Sequence, residues 1–101
     1  MKRLNLDQYV LDVESLRSIK RGIRDVVSYD EAIKELNTLA DFIEGGVFYS
    51  NLQSLIDLTD YLVEIINMIN SDIYPELNEL KLNFIAKIDN FLNELDSIVD
   101  I

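Results

Sequence analysis

Arg17, Lys20, Arg21 and Arg24 stand at i, i+3, i+4 and i+7. On a helix these four cations share one edge. Such an edge can hold phosphate or an acidic partner. It can equally neutralise acidic neighbouring helices, which is the plainer reading here. Asp57, Asp60 and Glu64 form the opposite feature, a carboxylate strip on one helical face. Oxygen donors of this kind could ligate Mg²⁺ or Ca²⁺. Bundle di-metal sites, however, use Glu-x-x-His motifs facing inward, and the chain has no His. A solvated, partner-facing strip is therefore expected, with no metal and no cofactor.

Two further charges interrupt apolar stripes. Asp12 projects among Tyr9, Leu16, Ile19 and Ile23, and Lys81 among Leu77, Phe84, Ile85 and Ile88. A buried charge must pair or shift its pKa, so Asp12 and Lys81 are candidates for a register-fixing pair. The alternative is that each snorkels out at a bundle end. Gly45-Gly46-Val47-Phe48-Tyr49 could form an apolar recognition tip, or a helix stop whose aromatics staple the next helix. It lacks the Lys-Ser/Thr ending of a phosphate loop. The seven serines offer neither a nucleophile elbow nor a His partner, so no catalytic constellation is expected.

Composition sets the frame for these residues. The chain has 101 residues, 9 basic and 19 acidic, for a net charge of −10, with no Cys, one Pro and three Gly. One domain is expected at this length. Disulfide frameworks and thiolate zinc sites are excluded. The apolar share of 49% speaks against disorder. No apolar run reaches the ~18–20 residues of a membrane span, and no long apolar h-region follows Met1-Lys2-Arg3. A cytoplasmic protein is the expectation. Residues 1–24 hold six bases against three acids, net +3, whereas residues 25–101 hold three against sixteen, net −13. A body this acidic repels nucleic acid and attracts basic surfaces.

Helical periodicity and caps predict four helices, at about 7–27, 30–44, 51–71 and 75–99. Ser28-Tyr29-Asp30-Glu31 and Ser50-Asn51-Leu52-Gln53 fit capping boxes. Gly45-Gly46 suits a helix stop. Pro75 suits the first position of the last helix. The third helix is apolar almost all round, as a buried helix is. In the fourth, Leu77, Leu80, Phe84, Ile88, Phe91, Leu95 and Ile98 recur at threes and fours, a bundle seam. The expected fold is an all-α, antiparallel up-down four-helix bundle in a single domain spanning residues 1–101. The alternative is a long helical hairpin that dimerises into four helices.

The stripes carry more apolar surface than four helices can hide, with extras such as Val10, Leu11 and Leu82. Leftover patches mark partners. Candidate partner-binding residues are Tyr29, Phe48, Tyr49, Asp57, Asp60, Tyr61, Glu64 and Tyr74. The expected function is a non-enzymatic, acidic protein-binding module, an inhibitor that occludes the basic, nucleic-acid-binding surface of a target; a homodimer is a further expectation. Phage anti-defence inhibitors, antitoxins and immunity proteins share this charge and size, which is an analogy rather than a motif. The alternative is a helical partner in a secretion or assembly complex. Ile43-Glu44-Gly45 looks like the Trp-x-Gly turn of the small helical-hairpin proteins of type VII secretion, with Ile43 in place of the Trp and Pro75 interrupting the second arm. That resemblance implies two long arms rather than four shorter helices.

Overall fold

The computed structural model describes residues 6–45 and 52–99. Four helices and no strand occur among them: α1 Leu6–Asp25, α2 Tyr29–Gly45, α3 Gln53–Asn70 and α4 Leu77–Val99. Each half of the chain thus carries two helices, not one long arm of a hairpin. Both α1 and α3 pack against α2 and α4, so α1 and α3 occupy diagonal corners of a body measuring 44 × 23 × 18 Å.

Each helix contributes one stripe to a shared core: Leu16, Ile19 and Ile23 from α1, Leu36 and Leu39 from α2, Leu55, Leu58, Leu62 and Ile65 from α3. The α4 seam is the most enclosed, with Leu80, Phe84, Ile88, Phe91 and Leu95 fully buried. Three- and four-residue steps keep these side chains over one another while the helix turns. No polar or charged residue is buried among the described residues. The expectation for α3 is corrected: Ile56 and Val63 are 39% and 50% exposed. Two flanking helices cover one side of a cylinder, and the outer apolar positions stay in water.

The helix ends show how the turns are set. Ser28 caps α2, its Oγ accepting the Glu31 N–H at 3.3 Å. Glu31 reaches back to the Val27 N–H at 3.2 Å, a capping box displaced by one residue. That box ends α1 at Asp25, two residues earlier than expected, and leaves Val27 78% exposed. Gly45 closes α2, and Gly46 lies outside the described residues.

α3 starts at Gln53, two residues later than expected. Its N-cap is Leu52, which makes no side-chain cap bond, and Gln53 donates instead to Asp57 at 2.9 Å; Ser50 and Asn51 lie outside the described residues. At the other end of α3, Asp72 takes φ 60°. Ile73 N–H donates to the Met68 carbonyl at 2.8 Å and Asp72 N–H to Ile69 at 3.0 Å, which is the Schellman pattern. Pro75 precedes the cap of α4 rather than opening the helix. Glu76 is that cap: its carbonyl accepts Leu80 N–H at 3.0 Å and its carboxylate accepts Glu79 N–H at 2.7 Å. A carboxylate there meets the positive end of the helix.

Candidate functional site

The cationic edge of α1 lies along α4. Arg17, Lys20, Arg21 and Arg24 form one wall of an open groove of about 530 Å³, and Asp89, Leu92, Asn93 and Asp96 form the other. Only part of the edge is spent on neutralisation. Lys20 Nζ meets Asp89 at 2.6 Å. Arg24 makes a long 3.5 Å contact with Asp25 beside it. Arg17 and Arg21 are exposed and form no ion pair among the described residues. Guanidinium groups left free in this way suit carboxylates, which their planar fork can grip with two parallel bonds.

Beyond Arg24 the groove continues into a second hollow of about 410 Å³, lined by Arg24, Asn78, Lys81, Leu82 and Ile85. Leu82 is 67% exposed there. Cations on α1 and apolar side chains on α4 therefore run side by side.

Three polar contacts fix α1 against α4. Tyr9 donates its hydroxyl to Asp96 at 2.8 Å. Burial, and then this bond and the Asp96 charge, raise the Tyr9 pKa above its ordinary value. The Lys20–Asp89 pair lies in the middle. At the far end Lys81 Nζ donates to the Val26 carbonyl at 2.7 Å. A helix leaves its last carbonyls without intrahelical partners, and Lys81 supplies one just past the end of α1. The structure does not bring Asp12 and Lys81 together: Asp12 lies about 21 Å from Val26 along the helix at 1.5 Å per residue. Asp12 has other interactions.

The carboxylate strip lies on the outer face of α3, with Asp57, Asp60 and Glu64 all exposed. Among the described residues no group of three or more acids is placed to hold a metal ion. Asp60 is the apex of the helix, opposite its core stripe. Asp57 and Glu64 form one shoulder, and exposed Ile56 and Val63 form the other.

Beside this strip Glu94 of α4 accepts both the N–H and the Oγ–H of Ser54, at 3.0 and 2.6 Å. These two bonds lower the Glu94 pKa below the usual carboxylate value. They also give α3 an N-terminal acceptor that its N-cap residue, Leu52, lacks. No local pattern signals that pairing, because Glu94 is forty residues away.

The aromatic candidates separate. Tyr29 and Tyr74 meet edge-on, ring centres 5.1 Å apart, at the end of the body where α1 and α3 finish. Tyr61 is half-buried against Phe84 at 4.7 Å, accepts a bond from the Asn83 amide at 3.1 Å and has Lys87 Nζ 5.4 Å above its ring. Tyr61 is thus engaged within the fold. Phe48 and Tyr49 lie outside the described residues. No helix among the described residues is long and apolar enough to cross a membrane. No protein-family model, curated protein or solved structure matches this chain.

Proposed function

We propose that this chain is a non-enzymatic, acidic helical module that acts by binding another protein, and that its α3 strip enters a basic cleft on the target. The carrying observation is the strip itself: three exposed carboxylates within eight residues, flanked by exposed Ile56 and Val63. Charge on such a face steers encounter with a basic partner, and the apolar shoulder slows departure. This combination suits an inhibitor that occludes a basic, nucleic-acid-binding surface. The scaffold is an up-down antiparallel bundle. Its support is the order of contacts: Tyr9 with Asp96, Lys20 with Asp89 and Val26 with Lys81 between α1 and α4, then Ser54 with Glu94 and Tyr61 with Phe84 between α3 and α4. The helical-partner reading from secretion complexes asks for two long arms, and four helices favour the first reading.

The test compares capture from a lysate of the source organism by the wild type and by the triple variant Asp57→Asn, Asp60→Asn, Glu64→Gln. A protein retained at low salt by the wild type, released at high salt and missed by the folded triple variant supports the proposal. Equal retention by both, or none by either, overturns it.

A further inference from the structure

We infer that the α1/α4 groove is a receptor for the α3 strip of a second copy of this chain, so that copies join head to tail. The exposed arginines Arg17, Arg21 and Arg24 are separated by four and then three residues. The exposed acids Asp57, Asp60 and Glu64 are separated by three and then four. Laid antiparallel, the two series coincide: Arg17 faces Glu64, Arg21 faces Asp60 and Arg24 faces Asp57, each series spanning about 10.5 Å at 1.5 Å per residue.

The second match is in the shoulders. Viewed down α1 from its start, α4 lies clockwise of the core stripe, as the cationic edge does. A helix laid in the groove antiparallel to α1, with Asp60 inward, turns Asp57 and Glu64 toward α1. It turns Ile56 and Val63 toward α4. Laid parallel, it would put acids on the wall that already holds Asp89 and Asp96. In the antiparallel arrangement Ile56 reaches the end lined by Leu82 and Ile85, and Val63 the end lined by Leu92. Asp89 and Asp96 remain with Lys20 and the Tyr9 hydroxyl.

Because α1 and α3 occupy diagonal corners, one copy presents strip and groove on different sides. The contact is therefore heterologous: it propagates into a ring or an open chain instead of closing as a two-fold dimer. The net charge of −10 per copy opposes approach at long range. At physiological salt the Debye length is about 8 Å, which screens distant charge more than pairs in contact. The contact uses the strip proposed above for a foreign target, so assembly and target binding compete; it does not require that such a target exist.

Sedimentation velocity at physiological salt, from about 10 μM to about 1 mM, the range of a weak interface, tests this directly. The wild type is expected to rise in average mass with concentration above the 11.7 kDa of one chain, and to return toward it at about 1 M salt, where the screening length is ~3 Å. The groove variant Arg17→Glu, Arg21→Glu, Arg24→Glu and the strip variant Asp57→Lys, Asp60→Lys, Glu64→Lys should each remain single chains. Mixed one to one, they should associate again, since each reversed face meets a complementary one. A wild type that keeps the single-chain mass throughout overturns the inference whatever the variants do. So does association that both reversals leave unchanged.

Discussion

Replacing Lys81 with Met isolates one bond at the α1–α4 junction. The Met side chain is unbranched and close in length, so it keeps the packing of the lysine stem and removes the ammonium that holds the Val26 carbonyl at 2.7 Å. Hydrogen bonds to charged groups contribute about 1.5–3 kcal/mol net, with a further ~0.3–1 kcal/mol for a cation near a helix C-terminus. Lys81 is half-buried, so water compensates in part, and the expected loss is about 1–2 kcal/mol. A domain of this size changes its Tm by about 4–8 °C per kcal/mol, so a fall of roughly 5–15 °C is expected in a circular-dichroism melt. Removing a positive charge from an acidic chain also raises self-repulsion. Melts repeated at about 1 M salt, with a Debye length of ~3 Å, leave only the contribution of the bond. Exposed Lys34→Met serves as the control and should stay within about 0.5 kcal/mol of wild type. A Lys81→Met protein as stable as the control variant at high salt would refute the reasoning.

Three other substitutions probe the remaining joints. Asp72→Gly should stabilise by about 0.5–1 kcal/mol in urea unfolding, because glycine accepts the positive φ of the Schellman position readily and an acid leaves the negative end of α3; a loss would mean that the aspartate side chain supports the turn. Gly22→Ala gains about 1 kcal/mol of helix propensity, and its methyl meets the end of the flexible Glu35 side chain, so net stabilisation is expected, and destabilisation would show that Glu35 is fixed. Ser54→Ala removes one of the two bonds that hold Glu94 below its ordinary pKa. A depressed carboxyl contributes stability above the ordinary carboxylate range and loses it as pH falls through the folded value, so the variant should be less stable at neutral pH and flatter between neutral pH and acid; an unchanged acid slope would contradict this.

Most of what residue order reveals is local. The α4 seam from Leu80 to Leu95 is set by steps of three and four within one helix. Ser28 and Glu31 cap α2 from within three residues. Non-local features escaped. The cap of α3 comes from Glu94, and the target of Lys81 is a main-chain carbonyl, which no side-chain pattern announces. The α3 arc, apolar almost all round, suggests a buried helix because periodicity reports how much of a helix is apolar, whereas the number of neighbours available to cover it is a property of the fold. Asp72 was equally opaque, since glycine is the expected residue at a left-handed helix stop. Of the candidate site, the cationic edge and the acidic strip are visible as spacings, whereas the groove that α1 and α4 form together is not, because its two walls are some seventy residues apart in sequence.

The seam between α1 and α4 has a bearing on how the polypeptide is made. Leu16, Ile19 and Ile23 emerge from the ribosome well before much of their cover, which comes with Lys20's partner Asp89 and with Tyr9's partner Asp96, 87 residues after the tyrosine. Until then the nascent chain displays a bare greasy ridge, the kind of surface that invites chaperones and misassembly. Closing of this seam therefore waits until α4 has emerged, and termination before α4 should yield a species fated for proteolysis rather than a smaller working protein.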